Sequence, residues 1–261
     1  MMKLWKKCYL GLIIVFMYAP IGVLIALSFN ENRYRGNWTG FTFQWYGQLV
    51  QDEAILEALQ NTITIGLLSA AIATVLGLLT CLALRRMGKK KRSFLMGIAT
   101  IPLLNADIVT GISLMLLFLG LGIRLGYGSI LMAHVVFYLP YVILCIMPQL
   151  MALDRNCYDA ARDLGATPFL AFRRVVLPEL RPSLIAGFML AFTMSADDFI
   201  ITHFTKGAGI DTLPTEIYAQ LKLGIHPEMY ALSTLVFVFV VVFAILLYVN
   251  RHRLRLEQAS Q

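Results

Sequence analysis

Asp107, Asp197 and Asp198 are acids inside otherwise apolar stretches of this chain. A carboxyl group at membrane depth costs about 2.5 to 3.5 kcal/mol at the centre of a transmembrane helix, so three of them require partners, water or a function. No Lys or Arg falls inside the predicted spans to neutralise them. A net-negative, partly hydrated lining suits a path for organic cations, whereas an anion path calls for Arg, Lys or helix N-termini. Asp107 is expected near the middle of the third span and the Asp197-Asp198 pair in the outer half of the fifth. On a continuous helix Asp198, Ser195 and Thr202 share one face, while Asp197 points about 100° away beside Thr193. The spacing leaves open whether one acid or several face a path. The competing role for each is a hydrogen bond to a neighbouring helix or to a partner subunit.

No other constellation carries chemistry. Cys8, Cys81, Cys145 and Cys157 are too few and too dispersed for a disulfide framework or a metal site. The histidines form no His-x-x-x-His or His-Glu pair, and His134, inside the fourth span, reads as a packed or hydrogen-bonded residue. Gly120, Gly122, Gly126 and Gly128 fit neither a phosphate-binding nor a dinucleotide-binding loop and read as a tight hairpin. No nucleophile elbow or metalloprotease signature is present. The expectation is a protein with no catalytic residues, no metal site and no cofactor of its own.

The elements that must position the acids are helices in a bilayer. Of 261 residues, 59% are hydrophobic and 14% charged, with mean hydropathy +0.73, against roughly 25% charged in soluble domains. Apolar runs long enough to cross a bilayer are expected at about 8–29, 61–84, 94–120, 127–150, 183–203 and 231–249, in one all-α transmembrane domain covering 1–261. The first follows Lys3, Lys6 and Lys7 like a signal peptide but is too long for one, and reads as an uncleaved span. Trp38, Phe41, Phe43, Trp45 and Tyr46 read as interfacial belt anchors. Ser69, Ala73 and Gly77, at four-residue spacing, allow close helix approach. Pro214 is expected to open a short outer helix over 215–223.

The net charge of +7 does not indicate a nucleic-acid partner, because the bases sit at the ends of apolar runs rather than on one surface. The N-terminus, the Arg85–Arg92 loop, the 151–182 loop and the C-terminal tail together hold seventeen Lys and Arg. The opposite side holds five: Arg33, Arg35, Arg124, Lys206 and Lys222. The positive-inside rule therefore puts both termini and the 151–182 loop in the cytoplasm.

That loop is the most patterned stretch of the chain. Asn156 is expected to cap a first short helix and Gly165 to end it in the left-handed conformation; Thr167 and Pro168 start a second over 169–176, stopped by Pro178 and Pro182. Leu164, Phe169 and Phe172 are knobs for a groove on another protein. The spacing Asp159-Ala160-Ala161, three residues, Gly165, nine residues, Val175-x-Leu177-Pro178 resembles the EAA loop of the membrane subunits of binding-protein-dependent ABC importers. Asp159 stands where that family usually has Glu, and Val175 where it usually has Ile. The resemblance implies a coupling loop, with Asp159, Ala160, Ala161, Gly165, Phe169, Phe172, Leu177 and Pro178 against a cytoplasmic ATPase.

Ser195-Ala196-Asp197-Asp198-Phe199-Ile200-Ile201-Thr202 further resembles the Asp-Asp-Phe stretch of spermidine/putrescine importer permeases. Pro102 with Ile108-Val109-x-Gly111, and Ala231-Leu232-Ser233-Thr234, agree with it. The resemblance covers essentially the whole chain and is nearest to the second of that importer's two membrane subunits. It implies half of a translocation path for polyamines, completed by a second, similar permease. The further partners it implies are two ATPase subunits, which bind ATP and Mg, and an external polyamine-binding protein. A permease for another solute would keep the loop without requiring the acids; a cation channel or secondary transporter would keep the acids without the loop.

Overall fold

With no water in the hydrocarbon layer to satisfy backbone N–H and C=O groups, apolar runs of this length fold as helices. The computed structural model describes residues 2–32, 38–223, 227–238 and 241. Among these the only β pairing is an isolated antiparallel bridge between Asn30 and Phe41. The chain divides into two compact units, one of Met1–Leu56 and Ile217–Gln261, the other of Glu57–Glu216.

In the first unit, α1 (Met2–Ser28) is an apolar helix whose hydropathic core is unburied by protein, as a lipid-facing helix is. It ends in a hairpin where Phe29 stacks on Phe41 at 5.1 Å. The short α2 (Gln44–Gln51) packs back onto this turn. Trp45 is no belt anchor: it is only 6% exposed, and its indole N–H donates to the Asn30 carbonyl at 2.7 Å. Trp38, Phe41 and Phe43 are exposed as expected.

In the second unit, α3 (Glu53–Arg86), α6 (Tyr127–Ala152) and α9 (Leu177–Asp197) form the core. Val142 is the point of closest approach. A β-carbon on Gly77 of α3 would lie 2.7 Å from Val142 Cγ1, and one on Gly187 of α9 would lie 3.3 Å from the same atom. Glycines on α3 and α9 thus let both helices approach α6 closely at Val142.

Two expected spans are broken. The third is not one helix over 94–120. Instead α4 (Lys89–Thr100) and a 3₁₀ turn (Ile101–Leu104) precede α5 (Asp107–Gly120), bent from it by 104°. Pro102 removes a backbone donor, and Asn105 and Ala106 are extended, with ψ of 152° and 136°. Asp107 therefore sits in the first turn of a helix, where the macrodipole favours an acid, and not at a helix centre. The fifth expected span ends early: α9 stops at Asp197, and the short α10 (Ile200–Thr205) follows. Asp198 therefore does not lie on one helix with Ser195 and Thr202.

The 151–182 loop also differs in detail. Asp154, not Asn156, caps α7 (Arg155–Asp163), accepting the Asn156 N–H at 2.9 Å. After α8 (Pro168–Ala171) the chain does not stop at Pro178 and Pro182. It continues through a π turn (Phe172–Val176) straight into α9. In that turn Leu177 N–H bonds the Phe172 carbonyl five residues back, and Pro178 falls in the first turn of α9, where a missing N–H costs little.

Residues after α10 run back over the ends of α3 and α6. Asn61 donates to the Asp211 carbonyl at 3.0 Å, Leu213 N–H donates to Thr62 at 2.7 Å, and Ser129 donates to the Thr205 carbonyl at 2.8 Å. Lys206 pairs with Asp211. The outer helix opened by Pro214 is α11 (Leu213–Leu223). The sixth expected span is described as α12 (Pro227–Val238); the rest of 231–249, apart from 241, lies outside the described residues, as do Arg33, Arg35 and the basic C-terminal tail.

Candidate functional site

The two helix breaks meet. Asp107 opens α5, Asp197 closes α9, and Asp198 follows in extended backbone with ψ 118°. All three carboxyl groups line one concavity of about 410 Å³, together with Phe137, Tyr138, Tyr141, Met194, Phe199 and Ile200. Among the described residues no basic side chain lines it. The wall is built from α6, whose positions 137, 138 and 141 fall on neighbouring faces one turn apart. Phe137 and Tyr138 meet edge to face at 5.3 Å, and the Tyr138 hydroxyl donates to the Met194 carbonyl at 3.1 Å, fixing α6 against the last turn of α9.

The three acids are not equivalent. Asp107 and Asp197 are exposed in this chain, and neither side chain makes a hydrogen bond or ion pair among the described residues. The Asp198 side chain is 8% exposed and is held from behind. Its Oδ2 accepts the Thr202 N–H at 2.8 Å and the Thr202 hydroxyl at 3.1 Å, and its Oδ1 takes a longer contact of 3.4 Å from Ile201 N–H. It is the side-chain cap of α10, satisfying N–H groups that a helix start leaves free.

Ser195 and Thr202, expected on the path, do not line the cavity. Both are buried behind it, joined by His134 of α6. His134 Nδ1 lies 2.7 Å from Ser195 Oγ and Nε2 lies 2.9 Å from Thr202 Oγ1. The expectation that His134 is hydrogen-bonded matches the geometry, but its link to Asp198 was not evident in sequence. The aromatic lining from Phe137, Tyr138, Tyr141 and Phe199 was missed as well. Its signal was a run of aromatics one turn past an intramembrane histidine.

In this arrangement a cation meets three carboxyl groups, ring faces that attract positive charge, and the C-terminal end of α9 with its partial negative charge. Broken helices whose ends face a cavity are a recurring way to bind ions at membrane depth.

At the other end of α6 and α9 lies the 151–182 loop. Gly165 has φ +85°, with Ala166 N–H bonded to the Ala161 carbonyl at 3.1 Å and Gly165 N–H to the Arg162 carbonyl at 3.0 Å, the double closure of a Schellman turn. Thr167 caps Leu170 N–H at 3.3 Å. Leu164 and Phe169 project with 89% and 71% exposure, whereas Phe172 packs against the core. Asp159, Ala160 and Gly165 are exposed; Ala161, Leu177 and Pro178 are half-buried. Arg85 donates to the Leu153 carbonyl at 3.0 Å and Arg92 reaches Met151 Sδ at 3.3 Å. The basic 85–92 loop and the two-helix loop therefore share one end of this unit.

Comparison with known proteins agrees with this architecture. The chain is 38% identical over 243 residues, 93% of its length and 92% of the relative's, to the spermidine/putrescine transport system permease protein PotC of Escherichia coli (strain K12). It is 38% identical over 241 residues, 89% of its length and 85% of the relative's, to the putrescine transport system permease protein PotI of the same strain. A solved bacterial ABC transporter involved in the import of the acidic polysaccharide alginate has a chain of the same fold. Its TM-score is 0.73 at 16% identity, with 96% of this chain and 95% of that one covered. Residues 63–256 match the family described as binding-protein-dependent transport system inner membrane component, and this chain is a member of that family.

Proposed function

We propose that this chain is one of two membrane subunits of an ATP-driven polyamine importer, and that the cavity lined by Asp107, Asp197 and Asp198 is its share of the path. The shared fold does not decide the charge of the cargo, since a transporter of an acidic polysaccharide has it too. The cavity lining is the observation that carries the reading: three acids, four aromatic rings and no base. Protonated amines bind carboxyl groups directly, and the methylene chain between them lies against ring faces. The names of the relatives point to the same cargo.

The two-helix loop, with exposed Leu164 and Phe169 on a rigid Schellman turn, is the docking element for a cytoplasmic ATPase, and Asp159 lies on its exposed side. In this reading the loop and the basic 85–92 segment are cytoplasmic, and the excess of Lys and Arg beside both ends of the chain supports the same side for the termini. The assembly contains a second, similar permease and two ATPase subunits that carry ATP and Mg, and it receives polyamine from an external binding protein. The chain itself binds no nucleotide and catalyses no reaction.

The test is uptake by vesicles holding the whole assembly. Labelled putrescine and spermidine should enter saturably and only with ATP and the external protein. ATP-dependent import of some other solute in place of polyamines would overturn the cargo, and ion flux without an ATPase would overturn the permease reading altogether.

A further inference from the structure

Behind the cavity runs a buried chain of polar groups through four helices. Ser69 of α3 donates to Ser195 of α9 at 3.1 Å, Ser195 Oγ lies 2.7 Å from His134 Nδ1, and His134 Nε2 lies 2.9 Å from Thr202 Oγ1 of α10. Thr202 donates to Asp198 Oδ2 at 3.1 Å, and His134 Nε2 is itself 3.4 Å from that oxygen. Ser69, Ser195, His134 and Thr202 are each 5% exposed or less.

The donors can be placed in order. Thr202 has one hydroxyl proton and gives it to Asp198, so its oxygen accepts from His134 Nε2–H. In the neutral tautomer with its proton on Nε2, Nδ1 is bare and accepts the Ser195 hydroxyl, and Ser195 in turn accepts from Ser69. From Ser195 onward each donor then points toward the Asp198 carboxyl group, while Ser69 also reaches the Gly66 carbonyl at 3.2 Å. The cap on α10 needs only the backbone N–H groups of Ile201 and Thr202; it does not need His134. A histidine spanning the break between α9 and α10 from a third helix is more than packing requires, because burying an imidazole imposes donors and acceptors that an apolar side chain does not.

We infer that His134 is a positioning residue. Acting through Thr202 and Ser195, it fixes the rotamer of Asp198 so that the carboxyl group presents Oδ1 to a cationic substrate in the cavity. This rests on the reading of the cavity as a polyamine path. His134 does not touch the cavity and is not among its lining residues. It determines how well the cavity binds, not how fast the assembly turns over.

The experiment measures KM and Vmax for ATP-dependent putrescine uptake by vesicles containing the whole assembly, with Vmax scaled to assembled protein. His134→Leu and Ser195→Ala are each compared in the natural background and alongside Asp198→Asn. Ser195→Ala removes the hydroxyl that bonds His134 Nδ1 and receives Ser69 while keeping the imidazole, so it decides the matter if His134→Leu fails to assemble. Each variant should raise KM about fivefold with Vmax nearly unchanged, and should add nothing once Asp198 is Asn, the mark of two residues acting as one unit. Unchanged KM, a loss confined to Vmax, or effects that add fully to those of Asp198→Asn would overturn the inference while leaving the cavity reading intact. If Asp198→Asn alone leaves KM at the natural value, the role of Asp198 in the cavity fails, and the inference fails with it.

Discussion

The Asp198 carboxyl group accepts the Thr202 backbone N–H at 2.8 Å across the gap between α9 and α10, so one side chain both caps a helix and lines the cavity. These two duties separate by substitution. Asn at 198 keeps a cap and an acceptor for Thr202, whereas Ala loses both. Asp198→Asn should leave thermal stability of the purified assembly near that of the natural protein while lowering polyamine uptake. Asp198→Ala should lose uptake and also destabilise by about 2 kcal/mol, from the lost cap and the orphaned buried donors. Equal melting temperatures for the two variants would remove the cap from the account.

Asp107 and Asp197 have no partner in the described chain, so their replacement should cost binding without costing structure. Asp107→Asn and Asp197→Asn are each expected to raise KM for labelled spermidine several-fold, with assembly unchanged. The loss should be larger for Lys than for Asn at either position, because a cation then faces a cation.

The contact of Gly77 with Val142 sets the spacing of α3 and α6. Gly77→Ala puts a β-carbon 2.7 Å from Val142 Cγ1 and should destabilise by about 1 to 3 kcal/mol. Val142→Ala in the same chain should restore much of that loss. If the single substitution leaves the melting temperature unchanged, the two helices pack less tightly than described.

Much of this fold was legible in the sequence, and the exceptions have physical causes. The helices around 61–84 and 127–150 follow from uninterrupted apolar runs, and the Gly165 turn with its Thr167-Pro168 restart follows from residue types that suit few other conformations. The breaks at Asn105-Ala106 and after Asp197 were hidden because hydropathy averages over a whole span, so single capping residues such as Asp198 barely change it. Pro178 and Pro182 misled in the opposite direction: Pro178 falls in the first turn of α9, where its missing N–H costs little, and Pro182 is tolerated inside that helix. The acids were identified from cost alone. Their meeting in one cavity needed both breaks, which bring residues about ninety positions apart to the same place.

Gly165, at φ +85°, is the hinge between the two short helices, and a β-branched residue is strained there by about 1 to 3 kcal/mol. Gly165→Val should abolish ATP-dependent uptake while the subunit still inserts in the membrane and still pairs with the second permease. Asp159→Lys should weaken copurification of the ATPase. Normal uptake by the Gly165 variant would show that the loop does not transmit the ATPase's motion.

Whether the three-acid cavity carries a polyamine is tested most directly by the double variant Asp107→Asn with Asp197→Asn, which removes two carboxyl groups and no described hydrogen bond. The measurement is ATP-dependent uptake of labelled putrescine by vesicles holding the whole assembly, alongside its ATP hydrolysis and its amount. Uptake should fall near background with the complex assembled and ATP still hydrolysed; uptake at the natural rate would contradict a polyamine path through this cavity.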